Sequence, residues 1–314
     1  MKVFIVVPTI RENCITDFLS AWQSEFKDLT VIVVEDNPQK TFNIKHYNVL
    51  HYCWLDIDNE LGENSWIIPR KTDCVRSFGY YKAYKLGADI IITLDDDCYP
   101  VNGNFVKTHI NRLTTGNENA WVSSLENLIP RGVPYYNLNR INECVLNHGL
   151  WEGIADYDAI TQLTIERQKN ETVWIDKTIP VGKYFPMCGM NISWKRELTP
   201  AMYFLLMGRD YEFDRFGDIW CGIISKKIID HLGYAVNSGS PAILHKRASN
   251  VWQNLKKELP GLPVNEEFWT VVDNIKLTSD SFKGCYLEIA ENLEMEGEYW
   301  AKLKTAMKIW ANLF

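Results

Sequence analysis

The chain has 314 residues, of which 46% are apolar, and 40 acidic against 33 basic side chains give it a net charge of −7. This length and apolar content exclude a disordered tail and a disulfide-stapled miniprotein, and they allow one large domain or two ordinary ones. A mildly acidic chain without a basic run has no electrostatic footprint for nucleic acid or for an anionic membrane surface. We therefore expect a globular protein that binds neither.

The N-terminal sequence has no segment long enough for membrane insertion or secretion. The apolar run Val3–Val7 ends at Pro8, whereas a membrane helix needs about 20 apolar residues and a signal peptide an apolar core of about 7 to 15. The eight cysteines include no CxxC pair, which is typical of reduced, buried thiols rather than of a zinc site. These features predict a cytoplasmic protein without an integral membrane segment.

Strand and helix patterns alternate over the first hundred residues. Val3–Val7, Val31–Val34 and Ile90–Leu94 are continuous, largely β-branched runs of the kind that a parallel sheet buries on both faces. Apolar side chains recur at helical spacing in the segments 15–26 and 75–84 between them. This alternation predicts right-handed crossovers and a doubly wound α/β sheet, whose ligands bind beyond the carboxyl ends of the strands.

The second half is less regular, and 116–260 is rich in Gly, Pro, Asn and aromatic residues. Ile223–Leu232 forms one clear helix pattern, and Leu259–Pro263 is a cluster of helix breakers. The pattern after it is helical, with one apolar stripe made of Trp300, Leu303, Met307 and Trp310. We therefore divide the chain into a domain over 1–260 and a C-terminal helical segment over 261–314. The stripe would either pack on the core or form a homo-oligomer contact.

Three adjacent carboxylates, Asp95, Asp96 and Asp97, directly follow the strand pattern Ile90–Leu94. Carboxylates this close repel one another, so they require solvent or a cation. Alternation along the strand places Asp95 and Asp97 on the same side. Both could hold Mn²⁺ or Mg²⁺, since such ions bind through one or two carboxylates and substrate phosphates. A solvated acidic turn is the alternative.

Charged side chains elsewhere offer further candidate contacts. Candidates for pairing with a diphosphate, unless they form a solvated face, are Arg11, Arg76, Lys246 and Arg247. The acidic segments Asp156–Asp158 and Asp214–Asp218 could hold sugar hydroxyls or supply a base, or they could be simple turns. His245 follows a short apolar strand and could be a metal ligand or a structural histidine.

A series of sequence blocks points to one family. In chain order, the blocks are Ile5–Arg11, Thr93–Cys98, His148–Trp151, Asp156–Leu163, Phe185–Asn191, Pro200–Gly208, Asp230–Gly233 and Ala248–Glu258. The series resembles the reversibly glycosylated polypeptides, a family also called the UDP-arabinopyranose mutases. The resemblance runs from residue 3 to about residue 258 and leaves out the helical tail.

The resemblance implies a GT-A-like glycosyltransferase fold, a Rossmann-type doubly wound architecture that binds UDP-sugars with Mn²⁺ or Mg²⁺. Asp36, at the end of the second strand, would lie near the uridine. The full set of implied nucleotide contacts is Pro8, Thr9, Arg11, Asp36, Arg76 and Asp96. Asp95 and Asp97 would bind the metal ion, with His245 as a third ligand.

The same resemblance implies the reaction, which interconverts UDP-L-arabinopyranose and UDP-L-arabinofuranose. The family carries a sugar reversibly on an arginine, and the matching stretch here ends at Arg140, with one or two residues inserted before it. Asp218 keeps one of the two carboxylates that the family has in front of a tryptophan. Asp218 or Asp158 would take a proton from the arginine. Two alternatives stay open: a metal-dependent glycosyltransferase with an external acceptor, and a self-glycosylating scaffold without turnover.

Overall fold

The structure, a computed structural model, describes residues 1–44, 48–101, 103–121, 131–134, 136, 138–164, 175–246 and 250–314. Its strands are β1 (Val3–Thr9), β2 (Thr30–Glu35), β3 (Val49–Tyr52), β4 (Ile90–Leu94), β5 (Cys98–Pro100), β6 (Thr115–Asn119), β7 (Asn139–Gly153), β8 (Lys177–Thr178), β9 (Asn191–Lys195) and β10 (Ala235–His245). Its helices are α1 (Glu12–Ala21), α2 (Gln23–Phe26), α3 (Trp54–Leu61), α4 (Arg76–Lys85), α5 (Phe105–Arg112), α6 (Ala159–Thr164), α7 (Gly217–His231), α8 (Val251–Glu258), α9 (Leu262–Asn274), α10 (Phe282–Asn292) and α11 (Glu298–Ala311). None of these helices is long and apolar enough to cross a bilayer.

The strands form one mixed sheet in the order β3-β2-β1-β4-β9-β7-β10-β5, with β6 paired to β7 and β8 paired to β10. The first four strands in this order are parallel, β9 is antiparallel to both of its neighbours, and β10 is parallel to β7. Helices α1 and α2 connect β1 to β2, and α3 and α4 lie between β3 and β4, in the alternation that the sequence predicted. The predicted α/β doubly wound fold is therefore confirmed, and it is the fold class that the family resemblance implies.

Alternate side chains of the buried strands enter two different cores, one on each face of the sheet. In β1, Phe4 and Val6 belong to one core, whereas Val3, Ile5 and Val7 belong to the other. The first core includes side chains of α4, α7 and the C-terminal helices, and the second those of α1, α2 and α5. A strand covered on both faces needs apolar residues at every position, which explains the continuous runs in the sequence.

The C-terminal helices share the first core with the sheet. All four members of the predicted stripe are buried there. The Trp310 indole stacks on Tyr203 with ring centroids 5.1 Å apart, and its Nε1 donates to the Pro200 carbonyl at 3.1 Å. Trp300 stacks on Trp220 of α7. The stripe therefore packs within its own chain, which is the first of the two predicted alternatives.

Candidate functional site

The carboxyl ends of several strands meet at one edge of the sheet, and hydrogen bonds connect the residues that follow them. The Thr9 hydroxyl, at the end of β1, donates to Asp96 Oδ2 at 2.7 Å. The Asp36 amide donates to the Thr9 carbonyl at 2.8 Å, and the Lys246 amide, just after β10, donates to the Asp97 carbonyl at 3.0 Å. The structure thus brings the ends of β1, β2, β4 and β10 together around the aspartate triplet.

Asp96 is the buried member of the triplet. Its Oδ1 accepts a hydrogen bond from Arg11 Nη2 at 2.6 Å, and the same nitrogen lies 3.8 Å from Asp97 Oδ2. Burial raises the pKa of Asp96, while Thr9 and Arg11 act to lower it. Arg11, which was predicted to contact a diphosphate, is partly exposed beside the triplet and is paired with a carboxylate of this chain.

Arg76 has a different role from the diphosphate contact that the sequence suggested. Its side chain is 1% exposed and forms an ion pair with Asp95. Its other donors are used within the protein, because Nη1 donates to the Gly189 carbonyl at 2.7 Å and to the Thr93 hydroxyl at 3.3 Å, and Nε to the Asp73 carbonyl at 3.0 Å. Arg76 therefore holds Asp95 in place, and each of its guanidinium nitrogens is already bonded within the protein rather than available to a diphosphate.

Asp97 and His245 face each other across the open side of the site. Asp97 Oδ1 lies 3.8 Å from His245 Nε2. The other ring nitrogen of His245, Nδ1, lies 2.8 Å from the Ile154 carbonyl, which can only accept, so Nδ1 carries a proton. In the neutral form of this ring, Nε2 carries the lone pair. Burial, followed by repulsion from Asp95, raises the pKa of Asp97 to about 6.

These donors fit a divalent cation. No described residue donates a hydrogen bond to the Asp97 carboxylate or to His245 Nε2, although both side chains are largely buried. A carboxylate oxygen and an imidazole nitrogen are ligands that Mn²⁺ accepts. Within the described ranges, no three His, Cys, Asp or Glu side chains already form a metal-binding group. Such a site suits an ion that completes its coordination with substrate phosphates and water.

Asp36, which was predicted to lie near the uridine, is buried just after β2, and both of its oxygens accept hydrogen bonds. Oδ1 accepts from Trp54 Nε1 at 2.7 Å, and Oδ2 accepts from the Thr72 amide at 2.8 Å. Burial raises the pKa of this carboxyl group, which the hydrogen bonds oppose. Asp36 therefore orients the half-buried Trp54 ring. Pro8 is buried in β1, opposite Val34 of β2.

Asp218 lies in the first turn of α7 and accepts two backbone hydrogen bonds. The Gly189 amide donates to Oδ2 at 2.7 Å and the Ile219 amide to Oδ1 at 2.9 Å. Burial, with repulsion from Asp73 and Asp156, raises the pKa of Asp218 to about 7. The Gly189 carbonyl accepts from Arg76, so a continuous chain of bonds links Asp218 to the aspartate triplet. The sequence analysis did not include Asp73 and Gly189 among the residues around Asp218. For Asp73, the sequence offers one indication, which is its (i, i+3) spacing from Arg76.

Asp158 is not brought to the aspartate triplet by any contact with a described residue. It is exposed and caps α6, because the Thr161 amide donates to Oδ1 at 2.9 Å and the Thr161 hydroxyl donates to Oδ2 at 2.6 Å. Although partial burial acts to raise it, these hydrogen bonds lower the pKa of Asp158. This geometry is that of a helix cap rather than of a catalytic base.

Arg140 lies at the opposite edge of the sheet. It is the second residue of β7, where it is exposed and pairs in register with Glu118 of β6. Gly153, thirteen positions later, is the residue of β7 that pairs with His245. At about 3.3 Å per residue, thirteen positions span at most roughly 40 Å along the strand. Two further basic residues were predicted as diphosphate contacts. Lys246 Nζ lies 4.5 Å from the centre of the Tyr99 ring, and Arg247 lies outside the described residues.

The chain matches the family model "Reversibly glycosylated polypeptide" over residues 1–314. The match therefore includes the C-terminal helices, which the sequence blocks left out. "Probable UDP-arabinopyranose mutase 2" of Solanum tuberosum is 37% identical over 98% of this chain and 88% of its own length. "UDP-arabinopyranose mutase 1" of Arabidopsis thaliana is 36% identical over 98% and 90%, and "UDP-arabinopyranose mutase 1" of Oryza sativa subsp. japonica is 35% identical over 98% and 88%.

Among solved structures, the chain is similar to glucosyl-3-phosphoglycerate synthase from Mycobacterium tuberculosis in complex with Mn²⁺, UDP and phosphoglyceric acid. The identity is 13%, the match covers 95% of this chain and 80% of that one, and the TM-score is 0.43. A likeness this distant supports no inference about ligands. The family model and the plant relatives agree along nearly the whole chain, and the protein belongs to the reversibly glycosylated polypeptide family.

Proposed function

We propose that this enzyme is a UDP-arabinopyranose mutase that interconverts UDP-L-arabinopyranose and UDP-L-arabinofuranose with a divalent cation, Mn²⁺ or Mg²⁺. The observation that carries the proposal is the pairing of two kinds of group at one edge of the sheet. Asp97 and His245 carry donor atoms that accept no hydrogen bond from a described residue, and Asp218, bonded through Gly189 and Arg76 to the same triplet, has its pKa raised to about 7 by burial. Relatives that match 98% of the chain are named as mutases.

The triplet side of the site would hold the diphosphate end of the substrate. Asp97, His245 and the edge of Asp95 that Arg76 does not use would bind the cation. When bound, the cation supplies positive charge where the leaving diphosphate gains negative charge. Arg11 and Arg76 hold Asp96 and Asp95 at fixed positions, so these carboxylates need no rearrangement during the reaction.

The sugar side needs a group that can both give and take a proton. The anomeric C–O bond to UDP breaks, and another hydroxyl of the sugar adds to the anomeric carbon and gives up its proton. The bond from that carbon to the original ring oxygen then breaks as this oxygen takes up a proton, and the diphosphate oxygen of UDP adds again to the anomeric carbon. Ring opening consumes a proton at an oxygen and ring closure releases one. Asp218 suits both steps, because a carboxyl group with a pKa of about 7 is present in both protonation states at neutral pH.

Self-glycosylation at Arg140 is a separate proposal, and the position of Arg140 on β7 restricts how it can occur. About 40 Å of strand separates Arg140 from the residue that pairs with His245. A sugar on Arg140 would therefore come from the site of another molecule. On this account the modification is a side reaction and not a step of turnover.

Chromatography of UDP-arabinopyranose incubated with the protein and Mn²⁺ tests the proposed activity. We expect UDP-arabinofuranose to form, and we expect its formation to stop when EDTA is added. Free UDP in amounts that rise with an added saccharide would instead identify a glycosyltransferase with an external acceptor. One sugar bound per chain, without further product, would identify a self-glycosylating scaffold.

We also propose a cytoplasmic location. All eight cysteines are free thiols, and seven of them are buried, as is usual for proteins of reducing compartments.

A further inference from the structure

A buried polar group lies beneath the site, where β7, β9 and β10 come together. Its centre is Asn191, the first residue of β9, which is fully buried. Asn191 Nδ2 donates to the Leu150 carbonyl of β7 and to the Pro241 carbonyl of β10, each at 2.9 Å. One side chain thus connects β7 and β10 at the point where their pairing is irregular.

His109 of α5 fixes the orientation of the Asn191 amide. Its Nδ1 lies 2.8 Å from the Ser193 hydroxyl and 2.9 Å from Asn147 Nδ2, which can only donate. Nδ1 is therefore the acceptor, and Nε2 carries the proton that it donates to Asn191 Oδ1 at 2.9 Å. Burial lowers the pKa of His109 to about 3, so this arrangement persists at neutral pH.

Asn191 occupies the position where the pairing of β7 and β10 changes register. Gly149 pairs with Gly239 and Leu150 pairs with Ala242, so the two residues Ser240 and Pro241 of β10 have no counterpart in β7. The amide of Asn191 fills the space that this bulge opens. A Cβ atom at Gly149 would lie 2.2 Å from Asn191 Nδ2, and only glycine leaves room for the amide.

His245 is placed by two pairings, with Cys98 of β5 on one side and, through the register set at this bulge, with Gly153 of β7 on the other. From Leu150 onward the pairs continue without a further shift to Gly153 and His245. His245 Nδ1 then bonds to the Ile154 carbonyl, and Nε2 faces Asp97. A slip of this pairing would move the imidazole along the strand or turn it to the other face of the sheet.

We propose that Asn191, oriented by His109, is a positioning residue that sets the distance between His245 and Asp97. The inference rests on the proposed function, since it takes this pair as the protein's ligands for a divalent cation. It also gives a joint role to two sequence blocks, His148–Trp151 and Phe185–Asn191, that meet at Gly149 and Asn191.

The chain offers a closely matched control for Asn191 in Asn237 of β10. Asn237 is also buried, its Nδ2 donates to the carbonyls of Arg112 and Thr115, and its Oδ1 accepts from the Thr178 hydroxyl. It lies on the other side of the bulge from His245. Asn191→Ala and Asn237→Ala each remove two hydrogen bonds donated to carbonyls and one accepted hydrogen bond from a buried position. Only Asn191→Ala acts at the bulge from which the pairing continues to His245.

The test measures Mn²⁺ binding to the full chain with UDP present, from the electron paramagnetic resonance signal of free Mn²⁺, together with Tm. We expect the two substitutions to lower the Tm by similar amounts. We expect Asn191→Ala alone to weaken Mn²⁺ binding, by about tenfold or more, because this is the effect of losing a residue that orients a metal ligand. Equal Mn²⁺ affinities in the two variants would overturn the positioning role and leave the metal site standing. No Mn²⁺ binding by the wild type would contradict the metal site itself and this inference with it.

A second pair of variants decides the question if Asn191→Ala does not fold. His109→Gln keeps a donor for Asn191 Oδ1 and an acceptor for Ser193 and Asn147, whereas His109→Leu keeps neither. We expect His109→Gln to retain Mn²⁺ binding close to that of the wild type and His109→Leu to weaken it about tenfold. Equal Mn²⁺ binding by the Gln and Leu variants would contradict the proposal.

Discussion

Asp218 and Asp95 are connected through the backbone of one glycine and the side chain of one arginine. The Gly189 amide donates to Asp218 at 2.7 Å, and the Gly189 carbonyl accepts from Arg76, which is ion-paired with Asp95. A Cβ atom at Gly189 would lie 2.8 Å from the ring of Phe204. The backbone at Gly189 therefore lies between Asp218 and the aspartate triplet, and a displacement of Arg76 affects both.

Arg76 should be the largest single electrostatic contribution to the stability of this region. Arg76→Met leaves Asp95 without its partner, and breaking a buried ion pair in this way costs about 3–5 kcal/mol. The matched control is Lys308→Met, which removes an exposed pair with Glu291 and should cost less than about 1 kcal/mol. Urea unfolding measures both, and equal stability of the two variants would contradict the structural role assigned to Arg76.

Asp218 should give the reaction and the folded state a dependence on pH near 7. Its pKa is raised to about 7, so the folded chain binds this proton more tightly than the unfolded chain, and stability falls as the pH rises through 7. Asp218→Asn removes this pH dependence together with one of the two backbone hydrogen bonds. Its Tm relative to the wild type should therefore be lowest near pH 4, the usual pKa of an aspartate, and should rise towards pH 8. Turnover should fall by about 100-fold or more.

The measurement for Asp218 is a pH series of kcat alongside Tm. The wild-type kcat should change across about pH 7, and Asp218→Asn should lose that change. An Asn variant that keeps the wild-type profile would remove Asp218 from proton transfer.

Arg140 should be dispensable for turnover. Because it is exposed at the far end of β7, Arg140→Ala should keep mutase activity within about twofold of the wild type, as for other exposed substitutions. Intact-mass measurement after incubation with UDP-sugar shows separately whether the wild type gains a pentose that Arg140→Ala does not. Loss of turnover together with the adduct would restore Arg140 as a catalytic residue and contradict its placement.

The C-terminal helices should be required for folding. Trp310→Ala removes a fully buried indole that stacks on Tyr203 and should cost about 3–5 kcal/mol. The half-exposed Trp269 is the control, with an expected loss below about 1 kcal/mol. A chain cut after residue 262 should be insoluble or unfolded. A soluble truncated chain that still binds UDP would instead support the division at residue 260.

The strands at the centre of the sheet could be predicted because burial on both faces leaves a direct mark on the sequence. The predicted run Ile90–Leu94 is β4 itself, and Val31–Val34 is extended by one residue at each end to give β2. The fifteen-residue strand β7 was not predicted. Its first residues, Asn139–Glu143, pair with the polar strand β6 away from the core, so no apolar alternation is present there.

Site features made of residues that are neighbours in the sequence could be predicted, whereas features that depend on contacts between distant residues could not. Three adjacent carboxylates after a strand are visible in the sequence, and the structure places His245 opposite one of them. The role of Arg76 depends on Gly189, 113 positions away, which no local pattern encodes. For Arg140, the resemblance gives a position in the sequence, but the length of β7 determines its distance from the site.

The central claim is that the protein isomerises a UDP-sugar without an external acceptor, using Asp97 as a ligand of the metal ion. Its most direct test follows both nucleotide sugars by chromatography, starting from UDP-arabinopyranose in one reaction and UDP-arabinofuranose in another, with Mn²⁺ present. We expect both reactions to reach the same ratio with total UDP-sugar conserved, and we expect Asp97→Asn, which breaks no hydrogen bond to a described residue, to fold but not to turn over. A steady loss of UDP-sugar to free UDP, or full activity of Asp97→Asn in EDTA, would contradict the account.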